Sequence, residues 1–214
     1  MNISPDLGKL STSAEKRFVK LDILRREALG SERKEAILAF VTIEALGTWA
    51  NFMRCYYLSC VSNCISKTGV KISSAHSSPG RVYNQKVGEA VHIVRPGAGS
   101  KADGSWNRRD EPTWHDDAAF LRVCTAIGLS NTTDIQAAFS SGSRVFKDLV
   151  TIRNFFAHRN RQTLAAAMTV GTTNSVIGAA RPIDVLTCPR AGRAISLLED
   201  WLSDLKFTAQ YLCI

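Results

Sequence analysis

Residues 36–53 read Ala36-Ile37-Leu38-Ala39-Phe40-Val41-Thr42-Ile43-Glu44-Ala45-Leu46-Gly47-Thr48-Trp49-Ala50-Asn51-Phe52-Met53. This is the most apolar stretch of the chain, and it belongs either in a bilayer or in a protein core. Glu44 lies inside it and Arg54 closes it, and a charged side chain is costly at the centre of a bilayer, so the stretch makes a poor membrane span. A helix buried in a protein core accommodates the same residues. The apolar positions continue at helical spacing through Tyr57, Leu58 and Val61, and Ser31 can cap the start, which predicts one long helix to about Ser66. Gly47 lowers helix propensity inside it and is expected to mark a close helix crossing.

Similar patterns extend outward in both directions. Thr12 and Glu15 form a capping box for a first helix, Thr12 to Leu29, with Phe18, Leu21 and Leu24 at helical spacing and Gly30 at its end. Beyond the long helix, residues 67–110 are rich in Gly, Ser and Pro (Ser77-Ser78-Pro79-Gly80, Pro96-Gly97-Ala98-Gly99-Ser100). They read as a loop-rich insertion between the second and third main helices, with one short ordered piece between Val82 and Val94. Helices are predicted again over Glu111–Ile127, with Asp110 as cap and Pro112 in the first turn, over Thr133–Ser140, and from Ser143 past Phe156. Thr169–Ser175 reads as loop, and a last helix is expected from about Pro189, carrying Leu197, Leu198, Trp201, Leu202 and Leu205. Strand signals are weak throughout. The expected class is all-α, as a single domain over residues 1–214.

The 214 residues carry 27 Lys and Arg against 19 Asp and Glu, a net +8, with 45% hydrophobic residues. That composition excludes a disordered polymer and favours polyanionic partners. The charge is uneven. Residues 66–110 hold eight basic against three acidic residues, and residues 153–193 hold six arginines against one acid. No basic head followed by an apolar segment opens the chain, so a secretory signal is not expected and a cytoplasmic location is. Six cysteines fit a reducing compartment. Three of them, Cys55, Cys60 and Cys64, fall on the predicted long helix. Cys60, Cys64 and His76 could be imagined around a metal, but neither C-x-x-C nor a close His pair occurs, and buried thiols filling a core are the favoured reading. No metal or cofactor is expected. The Asn131-Thr132-Thr133 sequon is idle in such a location.

Chemistry is concentrated in Leu149-Val150-Thr151-Ile152-Arg153-Asn154-Phe155-Phe156-Ala157-His158-Arg159-Asn160-Arg161. Asn154 and His158 are four apart and share a helix face, with Arg153 beside Asn154, while Leu149, Ile152 and Phe156 face a core. Arg grips phosphate bidentately, His moves protons near neutral pH, and Asn orients either of them. RNA phosphodiester transfer needs little more, because the 2′-hydroxyl itself supplies the nucleophile. The structural alternative is an Arg and a His that merely complement the negative end of a helix dipole.

Arg153, Asn154, Ala157 and His158, with their apolar lead-in, resemble the R-N-x-x-x-H signature of the HEPN superfamily. The likeness covers about a dozen residues and agrees otherwise only in helix order. It implies an up-and-down helical bundle that dimerises so that two motifs form a composite site. It further implies a metal-independent endoribonuclease leaving 2′,3′-cyclic phosphate and 5′-hydroxyl ends, of the kind found as toxins or phage-defence effectors. Arg153 would stabilise the scissile phosphate, His158 would serve as acid or base, and Asn154 would assist. RNA, a second copy, and an antitoxin or other regulatory protein are the implied partners, with no membrane. One departure stands out: where some such toxins carry a Tyr that a partner modifies with AMP, this chain has Asn160. The same superfamily includes inactive members that bind RNA or proteins, the alternative here; retention of all three polar residues favours cleavage.

Arg159 and Arg161, flanking the motif, and Trp106, Arg108 and Arg109 in the insertion are the expected RNA contacts. Trp49 and Trp201 fit core positions. His115-Asp116-Asp117 points three ways from a helix and reads as a helix start, and His92 lies in an apolar patch where packing is the simpler role. Gly97-Ala98-Gly99 lacks the strand and Lys-Ser/Thr of a nucleotide loop, and no Ser has a G-x-S-x-G context.

Overall fold

The computed structural model describes residues 1, 3–76, 82–140 and 143–214. The Ser77-Ser78-Pro79-Gly80 loop expectation therefore lies outside the described residues. In chain order the elements are α1 (Leu7–Ala28), α2 (Lys34–Cys60), β1 (Cys64–Ile65), β2 (Lys71–Ile72), α3 (Tyr83–Val94), α4 (Asp117–Ala126), α5 (Thr132–Phe139), α6 (Val145–His158), α7 (Arg161–Thr173), α8 (Pro182–Thr187) and α9 (Leu197–Leu212). Of the described residues, 62% are helical. β1 and β2 pair antiparallel, Cys64 opposite Ile72 and Ile65 opposite Lys71. The all-α reading holds.

Two compact units emerge. The first comprises Met1–Ala14, Trp49–Gly142 and Thr208–Ile214, and the second Glu15–Thr48 and Ser143–Phe207. The first is organised around aromatic rings: Trp49 stacks on Phe52 at 5.5 Å, Phe52 meets Tyr56 at 6.1 Å, and Tyr56 meets Phe120 at 6.2 Å. Trp114 joins them through Tyr57 at 5.2 Å and Phe120 at 6.4 Å. Each such side chain, fully buried, contributes roughly 1.5–3 kcal/mol. In the second unit, Phe18 and Leu21 of α1, Leu38 and Val41 of α2, Leu149, Ile152 and Phe156 of α6, and Leu198, Trp201 and Leu205 of α9 are buried.

The apolar stretch of α2 is long and apolar enough to cross a membrane, yet 56% of its most apolar window is buried inside the protein. Its Gly47 meets nothing within 4 Å of an added Cβ and lies on the exposed face, so it marks no helix crossing. The close approaches are elsewhere. Gly88 lies under the Trp106 ring, and Gly171 of α7 lies against Val185 of α8, with an added Cβ reaching 2.8 and 2.9 Å respectively.

Several helix boundaries differ from expectation, each for a local reason. α1 begins at Leu7 because Asp6 Oδ1 accepts from the Gly8 N–H at 2.8 Å; Thr12 is internal and donates back to the Gly8 carbonyl at 2.9 Å. α2 stops at Cys60, Asn63 adopts φ 61°, and Cys64 is in β1, not on the helix, with its sulfur 3.9 Å from that of Cys60. The Lys86 ammonium of α3 closes that helix end, donating to the Val61 carbonyl at 3.2 Å and to Ser62 Oγ at 2.8 Å. α4 starts behind Asp116, whose Oδ1 accepts from Ala119 N–H at 2.9 Å, and not at Glu111. Glu111 is drawn into the interior instead, accepting from Arg54 Nε and Trp114 Nε1, both at 2.7 Å.

In the second unit, residues 169–173 continue α7 where a loop was expected. Thr169 satisfies its hydroxyl by donating to the Ala165 carbonyl at 3.0 Å, and Gly171 is selected by Val185. α8 had no sequence signal beyond Pro182. α9 begins at Leu197, eight residues after Pro189, because residues 189–196 fold back through the Val176–Arg190 and Pro189–Ser196 bridges.

Candidate functional site

α6 carries the motif, and its burial pattern explains why polar residues can emerge from it. Leu149, Ile152 and Phe156 are buried on one side, together with Asp148, which is only 3% exposed. Asp148 accepts from Arg144 Nε at 3.1 Å and from Asn174 Nδ2 at 2.7 Å. Asn174 Nδ2 also donates to the Val170 carbonyl at 2.9 Å, so one buried amide ties the start of α6 to the end of α7. Nothing in the motif itself announces this anchor. A buried carboxylate is tolerated only where such donors satisfy it.

On the other side, Arg153 and Asn154 are half-buried neighbours, and Arg153 Nη1 donates to Asn154 Oδ1 at 3.1 Å. This contact uses one of the five guanidinium donors and leaves the rest for a ligand. Ala157 and His158 are exposed, and His158 is the last residue of α6. Among the described residues no hydrogen bond is made by the His158 ring. Arg153 and Asn154 are thus brought together, while His158 stands one turn further on at the open helix end.

The helix stops there for a definable reason. Arg159 takes the left-handed conformation, φ 43° and ψ 43°, and its N–H donates to the Phe155 carbonyl at 2.7 Å. The next residue, Asn160, caps α7: its Oδ1 accepts from the Thr163 N–H at 2.9 Å while Thr163 Oγ1 accepts from the Asn160 N–H at 3.2 Å. The position where related-looking motifs carry Tyr is therefore a structural joint here. Asn160 three residues before Thr163 is a cap signal legible in the sequence.

The basic surface is smaller than the charge count implies. Arg159 pairs with Glu35 at 3.4 Å and Arg181 with Asp184 at 3.1 Å. Arg193 pairs with Asp200 at 2.6 Å, and Arg190 pairs with the same carboxylate. Of the six arginines in residues 153–193, Arg153 and Arg161 have no carboxylate partner among the described residues. The Asp184 carboxyl is held below its usual range by the Arg181 hydrogen bond. Sequence reading missed Glu35, whose pairing depends on a turn of α2 distant in the chain.

The other expected RNA contacts belong to the first unit. Trp106 is half-buried: its Nε1 donates to the Asn84 carbonyl at 3.0 Å and its ring meets His92 edge-on at 5.1 Å. Packing on α3 explains both residues. Arg108 lies 3.7 Å from Glu111 and Arg109 3.9 Å from Asp110, both largely exposed. Asn131 of the sequon is buried. Among the described residues no three His, Cys, Asp or Glu side chains group as metal ligands. No protein-family model matches the chain, and no curated protein or solved structure matches it.

Proposed function

We propose that this chain is a metal-independent endoribonuclease of the HEPN type, with Arg153, Asn154 and His158 as its catalytic residues. The observation that carries the reading is an exposed His158 at an open helix end, one turn beyond an Arg153–Asn154 pair joined at 3.1 Å. In this reading the His158 imidazole takes the proton of an RNA 2′-hydroxyl, and the oxygen attacks the adjacent phosphorus. Arg153 neutralises the charge that builds on the phosphoryl oxygens, with Asn154 holding the guanidinium. The P–O5′ bond breaks, a protonated His158 imidazole of the composite site gives its proton to the departing 5′-oxygen, and the products are a 2′,3′-cyclic phosphate and a 5′-hydroxyl. Arg161, without a carboxylate partner among the described residues, offers a positive charge for a flanking phosphate, and Arg159 can exchange Glu35 for one.

A second copy of the chain completes the site in this proposal, in the cytoplasm, under the control of an antitoxin or other regulatory protein. Trp106, Arg108 and Arg109 remain candidate RNA contacts. A second reading has its own support. A general base is normally oriented by a further group, and among the described residues none bonds the His158 ring, as expected of an inactive module that binds RNA or protein on the same fold.

One experiment separates them. Purified protein is incubated with RNA in excess chelator beside His158→Ala and Arg153→Ala. Chelator-resistant cleavage with cyclic-phosphate ends, lost at least about a hundredfold in both folded variants, is expected. Identical profiles for all three proteins would exclude the catalytic reading.

A further inference from the structure

The first unit contains a cleft of about 290 Å³, near the lower end of small-molecule sites. The β1–β2 hairpin forms one wall with Val70 and Ile72, the end of α9 another with Tyr211 and Leu212, and the start of α5 supplies Asn131 and Asp134. Val70 is 61% exposed and Tyr211 39%, whereas Ile72 and Leu212 are buried. Water therefore meets apolar surface at the mouth and an apolar floor beneath it. Exposed apolar side chains converging on a concavity mark a binding site more readily than the same residues scattered singly.

The polar groups of the cleft are unevenly satisfied. Asn131 precedes α5 at its N-cap position, where an Asn side chain ordinarily accepts from the helix N–H groups, but here it makes no capping bond. Its amide turns inward, Nδ2 donating to the buried Tyr56 hydroxyl at 2.6 Å, and its Oδ1 is buried without a hydrogen-bond partner among the described residues. A buried acceptor of this kind is uncommon in folded proteins and is satisfied when a bound molecule supplies a donor. Asp134, one turn into α5, is exposed, and among the described residues no cation pairs with its carboxylate. The unmatched polar groups are thus both acceptors, one neutral and one negative.

We propose that this cleft binds a small amphipathic amine, its ammonium paired with Asp134 and donating to Asn131 as that amide tilts out of the wall, its apolar body seated between Val70, Ile72 and Tyr211. An anion is disfavoured by Asp134, and a purely apolar molecule leaves the Asn131 acceptor unmet. The site is separate from Arg153, Asn154 and His158 and does not depend on their role.

The test is a 1H–15N NMR titration of the full chain with benzylamine, benzyl alcohol and benzoate, probes that share a ring and differ in the head group. Benzylamine is expected to shift the amides of residues 66–72, 131–134 and 211–214 with a Kd of about 1 mM, the weak affinity proper to a fragment of this size. Asp134→Asn, at an exposed position, is expected to weaken it about two- to fivefold, the range of an exposed ion pair. Val70→Trp should fill the mouth and abolish binding while the rest of the spectrum is preserved. Shifts centred elsewhere, no shifts, equal response to all three probes, or an unchanged Kd in Asp134→Asn would each overturn the proposal.

Discussion

Asp204 of α9 illustrates how a single side chain is set by its surroundings. Ser143 donates to its carboxylate at 2.6 Å, but burial dominates and raises its pKa, with the like charge of Asp200 adding to the effect. A carboxyl whose pKa is higher in the folded than in the unfolded chain binds its proton more tightly when folded. Its ionisation therefore destabilises the protein as pH rises from the unfolded value through the folded one, and the cost is present in full above it. Asn mimics the neutral form. Asp204→Asn is expected to raise Tm at pH 7 and to lose that advantage as pH is lowered toward 4, which thermal unfolding across that range would measure. A mutant less stable than the parent at pH 7 would contradict this account.

The α6–α7 joint is the element on which the candidate site depends. Two residues separate the helices, and both are committed: Arg159 in the left-handed region, which few non-glycine residues favour, and Asn160 in the cap. Removing the cap leaves N–H groups of α7 without their acceptor. Asn160→Ala is expected to cost about 1 kcal/mol in denaturant unfolding. If RNA cleavage is confirmed, the same change should lower its rate although Asn160 touches no reacting atom, because it holds the turn from which His158 projects. At the other end of α6 the Asp148–Asn174 bond does comparable work. The sequence showed where the motif lies, through the spacing of Leu149, Ile152 and Phe156, and it contained the Asn160–Thr163 cap. It did not show Asp148 as an anchor, because an acid in the first turn of a helix is ordinarily a surface residue favoured by the dipole.

For the molecule as a whole, the six cysteines report on burial. Five are buried and Cys188 is half-buried. Burial pushes the thiols of Cys60, Cys124 and Cys213 up, further from the reactive thiolate. Labelling with a chromogenic disulfide reagent is expected to modify about one thiol rapidly, blocked by Cys188→Ser, and the other five only after unfolding. Fast reaction of two or more would show that one of the compact units opens readily. The placement of charge is likewise set at this scale. Arg25, Lys86, Arg190 and Arg193 close helix ends or loops against acids and carbonyls, so these cations are held inside the fold, while the net +8 itself is unchanged by such pairing.

Periodicity alone determined the class of this protein and the identity of most core residues. Side chains three and four apart on a helix must share a face, and apolar ones on that face leave water together. It also determined that Arg153, Asn154 and His158 lie within two turns of one another. Tertiary structure decided the helix ends, because capping depends on which neighbour competes for a side chain: Glu111 could have begun a helix and was taken by Arg54 and Trp114. It decided which cations are free, since pairs such as Arg159–Glu35 join residues more than a hundred positions apart. It alone created the cleft beside Asn131, whose walls come from three separate stretches of chain. Local patterns record local geometry; the pairing of charges and the shape of a cavity arise only when distant segments meet.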